Sequence, residues 1–166
     1  MITLTHMAEE VAELLRRRGD TIAVAETSTG GLISSALLAL PGASAYYKGG
    51  SILYTYESRK KLLGIKGQDV EGLAPMSEAM VMAFAQKAQA QFASTWAVAE
   101  LGIAGPTGVV YGEAGSSVIG IAGPNPVSAL LNTGSSARED NMWRFTGHAL
   151  SLLCKALSED SGPLRS

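Results

Sequence analysis

Within the first forty residues the apolar pattern changes period twice, and that change restricts the chain to helices layered on a sheet. Met7, Val11, Leu14 and Leu15 recur at helical spacing over residues 5–18. Arg16, Arg17 and Arg18 fall in the last turn, where cations suit the helix dipole, and Gly19 stops it. Residues 21–25 (TIAVA) are a continuous apolar run rich in β-branched side chains, which predicts a strand. After the loop ETSTGG, Leu32, Ile33, Ala36, Leu37 and Leu40 share one helical face, and Pro41-Gly42 ends that helix.

The alternation continues. A strand is predicted within 46–54, best placed at 50–55, and a short basic helix at 57–63, closed by Gly64. A polar connection covers 67–76. Ser77 is an N-cap for a long helix with Val81, Phe84, Ala85, Ala88 and Phe92 on its inner face. Strands are predicted at 95–101, 117–122 and 127–132, the last two forming a hairpin through 123–126. A helix opened by Ser135 or Ser136 spans 139–157, and residues 158–166 read as a frayed tail. The pentapeptide GIAGP occurs at 102–106 and 120–124; it marks two strand ends and is too short to indicate duplication. The expectation is a single α/β domain over residues 1–166, a three-layer α/β/α sandwich with a mixed sheet of about five strands. Nineteen glycines and few aromatic residues imply tight turns around a core of small side chains.

Several classes are excluded. Thirteen basic and fifteen acidic residues leave a net charge of −2, which is no footprint for general nucleic-acid binding. No apolar run is long enough to span a bilayer, so no membrane partner is expected. The first residues lack the basic-then-apolar pattern of a signal peptide, and the expected location is cytoplasmic. A single cysteine, Cys154, rules out an internal disulfide framework and falls in the apolar stripe of the last helix. His6 and His148 have no metal-ligand spacing, so neither a metal nor a cofactor is expected. Trp96 and Trp143 read as packing residues.

Three segments can carry chemistry. In the first, a strand runs through Glu26, Thr27, Ser28 and Thr29 into a helix opening at Gly30 and Gly31. Ligands gather at the carboxyl ends of strands in open α/β sheets, and a helix start offers free amides. One turn then supplies both a hydroxyl nucleophile and donors for an oxyanion or phosphate. The same residues also describe a plain helix cap. It is no Walker loop, because Gly-Lys-Ser/Thr is missing. In the second, Tyr54 precedes Arg59, Lys60 and Lys61 at a strand-to-helix junction, which reads either as a proton relay or as a solvated basic face. In the third, the turn Gly102, Ile103, Ala104, Gly105, Pro106, with Thr107 and Gly108 after it, follows a strand and can bring amides to a ligand, or is a tight turn only. Glu26 and Glu100 both fall near strand ends. They can meet across the mouth of the sheet, or serve as turn acceptors.

Taken in order, these segments resemble the CinA C-terminal domain family, whose characterised members are nicotinamide-nucleotide amidases. The family pattern is roughly AES-C-TGG, then VxYxxxxK shortly before GV or GI, then SGIAGP or TGIAGP, then a late GDR. This chain has AETSTGG at 25–31, ILYTYESRKKLLGI at 52–65 and LGIAGP at 101–106. PGASAYYKGG and the PMSE before the long helix also fit, and the resemblance covers about residues 5–157. It implies an α/β/α fold, oligomeric assembly, and metal-free hydrolysis of the carboxamide of nicotinamide mononucleotide by a serine, a tyrosine and a lysine. The family serine falls on Thr27, the tyrosine on Tyr54 and the lysine, counted back from Gly64, on Arg59. The arginine of GDR falls on Arg138, with Ser136 and Ala137 in place of Gly and Asp, and a further family arginine falls on Met142.

The departures carry physical consequences. A threonine methyl restricts χ1 and crowds attack. Ser28, in the family's cysteine position, offers another hydroxyl. An arginine guanidinium holds its proton, so it cannot act as the base that a lysine can be. Lys60 lies about 100° around a helix from Arg59. Losing a general base lowers the rate by about 10²–10⁴-fold. Arg59 is suited instead to gripping a phosphate or carboxylate. Two functions follow. One is a nicotinamide-nucleotide amidase with Thr27, Ser28, Tyr54, Arg59 and Lys60 as its catalytic set. In it Glu26, Thr29, Gly30, Gly31, Gly102, Ala104, Gly105 and Arg138 hold the small-molecule nucleotide. The other is a degenerate relative that binds a nucleotide or small anion without turnover.

Overall fold

A computed structural model describes residues 1–162. Helix α1, Leu4–Arg18, is capped by Thr3, whose side chain accepts from the His6 amide, and is closed by Gly19 in the left-handed conformation. It buries Ala8, Val11, Ala12 and Leu15, while Met7 and Leu14 pack at its flank. Arg18 does more than complement the helix dipole. It is itself buried; its Nε lies 3.0 Å from Asp20 Oδ2, and its Nη2 reaches Asp160. Trp96 Nε1 donates to the same Asp20 oxygen at 2.8 Å.

Strand β1, Ile22–Glu26, leads into helix α2, Leu32–Leu38, and then to β2, Tyr47–Ile52. Helices α3, Tyr56–Leu62, and α4, Glu78–Phe92, follow. Three strands come next, β3, Trp96–Ile103, β4, Ser116–Ala122, and β5, Val127–Asn132, before helix α5, Arg138–Glu159. The strands form one sheet in the order β2-β1-β3-β4-β5. β1 is parallel to both β2 and β3, while β3, β4 and β5 run antiparallel in turn. This is the expected mixed sheet of an α/β/α sandwich, with the late hairpin in place. No helix among the described residues is long and apolar enough to cross a membrane.

The two faces of the sheet differ in side-chain size. Ile22, Val24, Trp96, Val98, Ile119 and Ile121 pack with α1, α2 and α5. The alternate positions Ala23, Ala25, Ala97, Ala99 and Ala122 meet α4 through Val81, Phe84, Ala85 and Ala88. Gly120 lies on that second face, where an added Cβ would stand 3.0 Å from Val81 Cγ1 and Met82 Sδ. The small-residue core implied by composition is therefore the α4 side.

Three expectations are corrected. β2 lies three residues upstream of the predicted 50–55 and ends at Ile52. It is an edge strand, and its glycines carry no apolar signal. α5 begins at Arg138 behind Ala137, which makes no side-chain cap. Ser135 Oγ accepts from the Ala137 amide instead, within the preceding turn. The tail is not frayed from 158: Ser158 and Glu159 are helical and Asp160 is held by Arg18, whereas residues 163–166 lie outside the described residues. Both GIAGP copies do fall at strand ends, closing β3 and β4.

Candidate active site

Strands β1 and β3 are parallel neighbours, with Ile22 beside Trp96 and Val24 beside Val98. The same alternation brings Glu26 and Glu100 to one face at the carboxyl ends of the two strands. Both are fully buried. Glu26 accepts from the Ile33 and Ser34 amides, at 3.2 and 3.1 Å, and from Thr29 Oγ1 at 2.6 Å. The amides of the α2 start, expected to face a ligand, therefore serve a buried carboxylate that must be hydrogen-bonded. Glu100 Oε2 accepts from the amides of Thr27 and Thr29, at 2.9 and 3.2 Å. Its Oε1 accepts from Ser28 Oγ at 2.5 Å. Thr29 Oγ1 stands between the two acids, 3.1 Å from Glu100 Oε2. The two glutamates meet through Thr29, and each is also a turn acceptor. Burial pushes the Glu100 carboxyl above the ordinary carboxylate value. The Ser28 hydroxyl and the two amides pull it down, and neighbouring Glu26 pushes it further up.

Above this layer lies a cleft of about 250 Å³. Thr27 and Ser28 form its floor, 4% and 6% exposed. Gly102, Ala104 and Gly105 line one wall, and Tyr54, Arg59 and Arg138 line the rim. Arg138 donates to the Gly105 carbonyl at 2.5 Å and to Tyr54 Oη at 3.0 Å. Arg59 donates from Nε to the Leu53 carbonyl at 3.2 Å, and its guanidinium lies over the Tyr56 and Phe84 rings. Lys60 is exposed and borders a separate depression beside Ile65 and Phe84, outside the cleft. Lys61 pairs with Glu57 on the surface at 2.6 Å. Gly30 and Gly31 have φ of 62° and 101°, turn the chain into α2, and are not among the lining residues.

A family model, the CinA C-terminal domain, matches residues 4–157. The chain belongs to this family. A CinA-like protein of Thermosynechococcus vestitus is 41% identical over 155 residues, covering 91% of this chain and 37% of its own length. A CinA-like protein of Gloeobacter violaceus is 37% identical over 150 residues, covering 89% of this chain and 35% of its own length. The chain thus spans a little over a third of these curated relatives. Among solved structures, a CinA superfamily protein of Klebsiella pneumoniae superposes with a TM-score of 0.87 at 22% identity, covering 96% of this chain and all of that one. The competence/damage inducible protein CihA of Agrobacterium tumefaciens gives a TM-score of 0.84 at 25% identity, covering 94% and 96%.

In this CinA-family chain, the loop that continues from the glycine turn also shapes the cleft. Thr107, Val109 and Tyr111, from the loop after β3, line it. An aromatic residue inside a glycine-rich loop is the signal that marks Tyr111. Asn141 is fully buried on α5 and donates to the carbonyls of Ala104, at 2.9 Å, and Ser135, at 2.8 Å. It ties the glycine turn to the start of α5. A buried asparagine one turn into an amphipathic helix was its only trace in the sequence.

Proposed function

We propose that this CinA-family chain is a cytoplasmic, amidase-like hydrolase that converts nicotinamide mononucleotide to nicotinate mononucleotide and ammonia through a hydroxyl nucleophile. The observation that supports this reading is the pairing of two floor hydroxyls, Thr27 and Ser28, with two rim arginines, Arg59 and Arg138, across one small cleft. The hydroxyl attacks the carboxamide carbon. The arginines suit the 5′-phosphate, because a guanidinium fork matches phosphate geometry. Tyr54, whose Oη accepts from Arg138, lines the same cleft and is the residue assigned the proton relay. Self-association belongs to the same reading and is measured by light scattering.

A second reading is favoured by one specific feature. Arg59 lines the cleft where the family pattern has a lysine, while Lys60 and Lys61 lie elsewhere. That arrangement suits a nucleotide or anion binder without turnover. The test is ammonia and nicotinate-mononucleotide release by purified protein, with Thr27→Ala, Ser28→Ala and Arg59→Ala beside it, and calorimetric binding in parallel. Turnover lost in a hydroxyl variant supports the amidase. Binding without turnover supports the second reading, and the absence of both overturns the nucleotide assignment.

A further inference from the structure

We infer that Ser28 is the nucleophile of this site and that Glu100 is the base that takes its proton. The inference deepens the hydrolase reading, and depends on that reading only for the identity of the substrate. Its basis is the asymmetry of the Glu100 carboxylate. Oε2 already holds the Thr27 and Thr29 amides, whereas Oε1 has Ser28 Oγ, at 2.5 Å, as its one hydrogen-bond partner among the described residues. A proton arriving at Oε1 displaces no amide donor. Thr27 Oγ1 is a poorer candidate. It stands 3.4 Å from Oε2, the oxygen whose lone pairs are engaged, and carries the extra methyl. Ser28 lines the cleft and Glu100 lies buried beneath it, so the serine intervenes between the base and any substrate.

The chain leaves room for this pair. A Cβ on Gly102 would overlap both Ser28 Oγ and Glu100 Oε1, so the first glycine of GIAGP is the residue that lets hydroxyl and carboxylate touch. Burial raises the affinity of Glu100 for a proton above that of an ordinary carboxylate, which suits it to accept one. The charged group facing it is Glu26, across Thr29, while α5 presents Phe145 beside Gly102. Glu100 thus fills the vacancy left by a lysine that this chain does not have.

The steps balance. Ser28 Oγ bonds to the carboxamide carbon as its proton moves to Glu100 Oε1 and the carbonyl electrons move to oxygen. The tetrahedral adduct re-forms its carbonyl, the C–N bond breaks, and Glu100 returns the proton to the departing amine. Ammonia leaves and a seryl ester remains. Water then attacks the ester and gives its proton to Glu100. The C–O bond to Ser28 breaks, the serine recovers that proton from Glu100, and the carboxylic acid departs, losing its own proton to solvent.

The test uses a sulfonyl fluoride, which reports an activated serine whatever the natural substrate. Labelling is mapped by mass spectrometry and its rate followed against pH, with nicotinamide-mononucleotide turnover measured alongside. The expected label is on Ser28, with a rate that climbs along a limb above the ordinary carboxylate range. Glu100→Gln, isosteric and able to keep the Thr27 and Thr29 amides paired, is expected to slow labelling by about 10²–10⁴-fold and remove the limb. Label on Thr27, or an unchanged rate and profile in Glu100→Gln, overturns the inference. Ser28 labelling with the expected profile but no nucleotide turnover upholds the pair and rejects only the substrate. If thermal melting shows that Glu100→Gln does not fold, the wild-type profile decides: labelling of Ser28 without that limb overturns the assignment.

Discussion

Replacing Gly102 with alanine is expected to damage stability and the cleft together. Gly102 sits in β3 opposite Ser117, with a backbone conformation open to any residue, so the added methyl acts through contact alone. The new Cβ would collide with Ser28 Oγ and Glu100 Oε1 and stand 3.0 Å from Phe145 Cε2. None of the three can retreat easily: Ser28 and Glu100 are bonded to each other, and Phe145 is fully buried. Overpacking of this kind costs about 1–3 kcal/mol. For a chain of this size each kcal/mol lowers the melting temperature by about 2–4 °C, which gives a fall of roughly 2–12 °C. Moving the hydroxyl by about 1 Å is enough to slow reaction at Ser28 by roughly 10²-fold. Calorimetry and sulfonyl fluoride labelling read the two effects separately. Unchanged melting with unchanged labelling would show that Ser28 and Glu100 do not make the contact described, and the argument from crowding would fall with it.

Asp20→Ala removes one of the two carboxylates on the buried Arg18 guanidinium, leaving Asp160, and also removes the acceptor of Trp96 Nε1; urea unfolding should show a loss of about 1–3 kcal/mol, and a loss as small as that of an exposed ion pair would refute the burial argument. Because the folded state raises the proton affinity of Glu100, its contribution is fully present below the ordinary carboxylate pKa and is lost as pH rises through the raised value. The stability of the wild type relative to Glu100→Gln should therefore fall with rising pH across that window, and a rising difference would contradict it. Arg138→Ala cuts the links to the Gly105 carbonyl and Tyr54 Oη; on the proposed nucleotide reading, binding of nicotinate mononucleotide weakens by about 10–150-fold, the worth of one charged hydrogen bond, as read by calorimetry.

The sequence pattern was most legible where periodicity and caps agreed. α1, with its helical apolar spacing and Gly19, and α4, with Ser77, lie where they were expected. β2 was placed too late because the apolar signal of Ile52, Leu53 and Tyr54 begins only at the strand's last residue and continues past it. The strand itself is held by backbone pairing through Gly49 and Gly50, where an added Cβ would strike Phe92 or Tyr47. The hydroxyl turn, Tyr54, Arg59, Arg138 and the glycine turn line one cleft, because three strand ends meet there. Lys60 does not join them, since one step along α3 points it elsewhere. The special place of Glu100 needed the strand register. In one dimension it is an acid among apolar residues; only the pairing of β1 with β3 puts it under Ser28.

The unequal faces of the sheet bear on how such a chain can diverge. On the α1, α2 and α5 side, large side chains interlock, so a lost methylene in one can be refilled by a neighbour. On the α4 side, Ala23, Ala25, Ala97, Ala99 and Ala122 with Gly120 bring the helix close to the sheet, and at these positions there is little side chain to trim. Enlarging any of those positions moves α4 as a whole. Variation among descendants should therefore collect on the first side in compensating pairs, while the second side stays frozen at alanine and glycine.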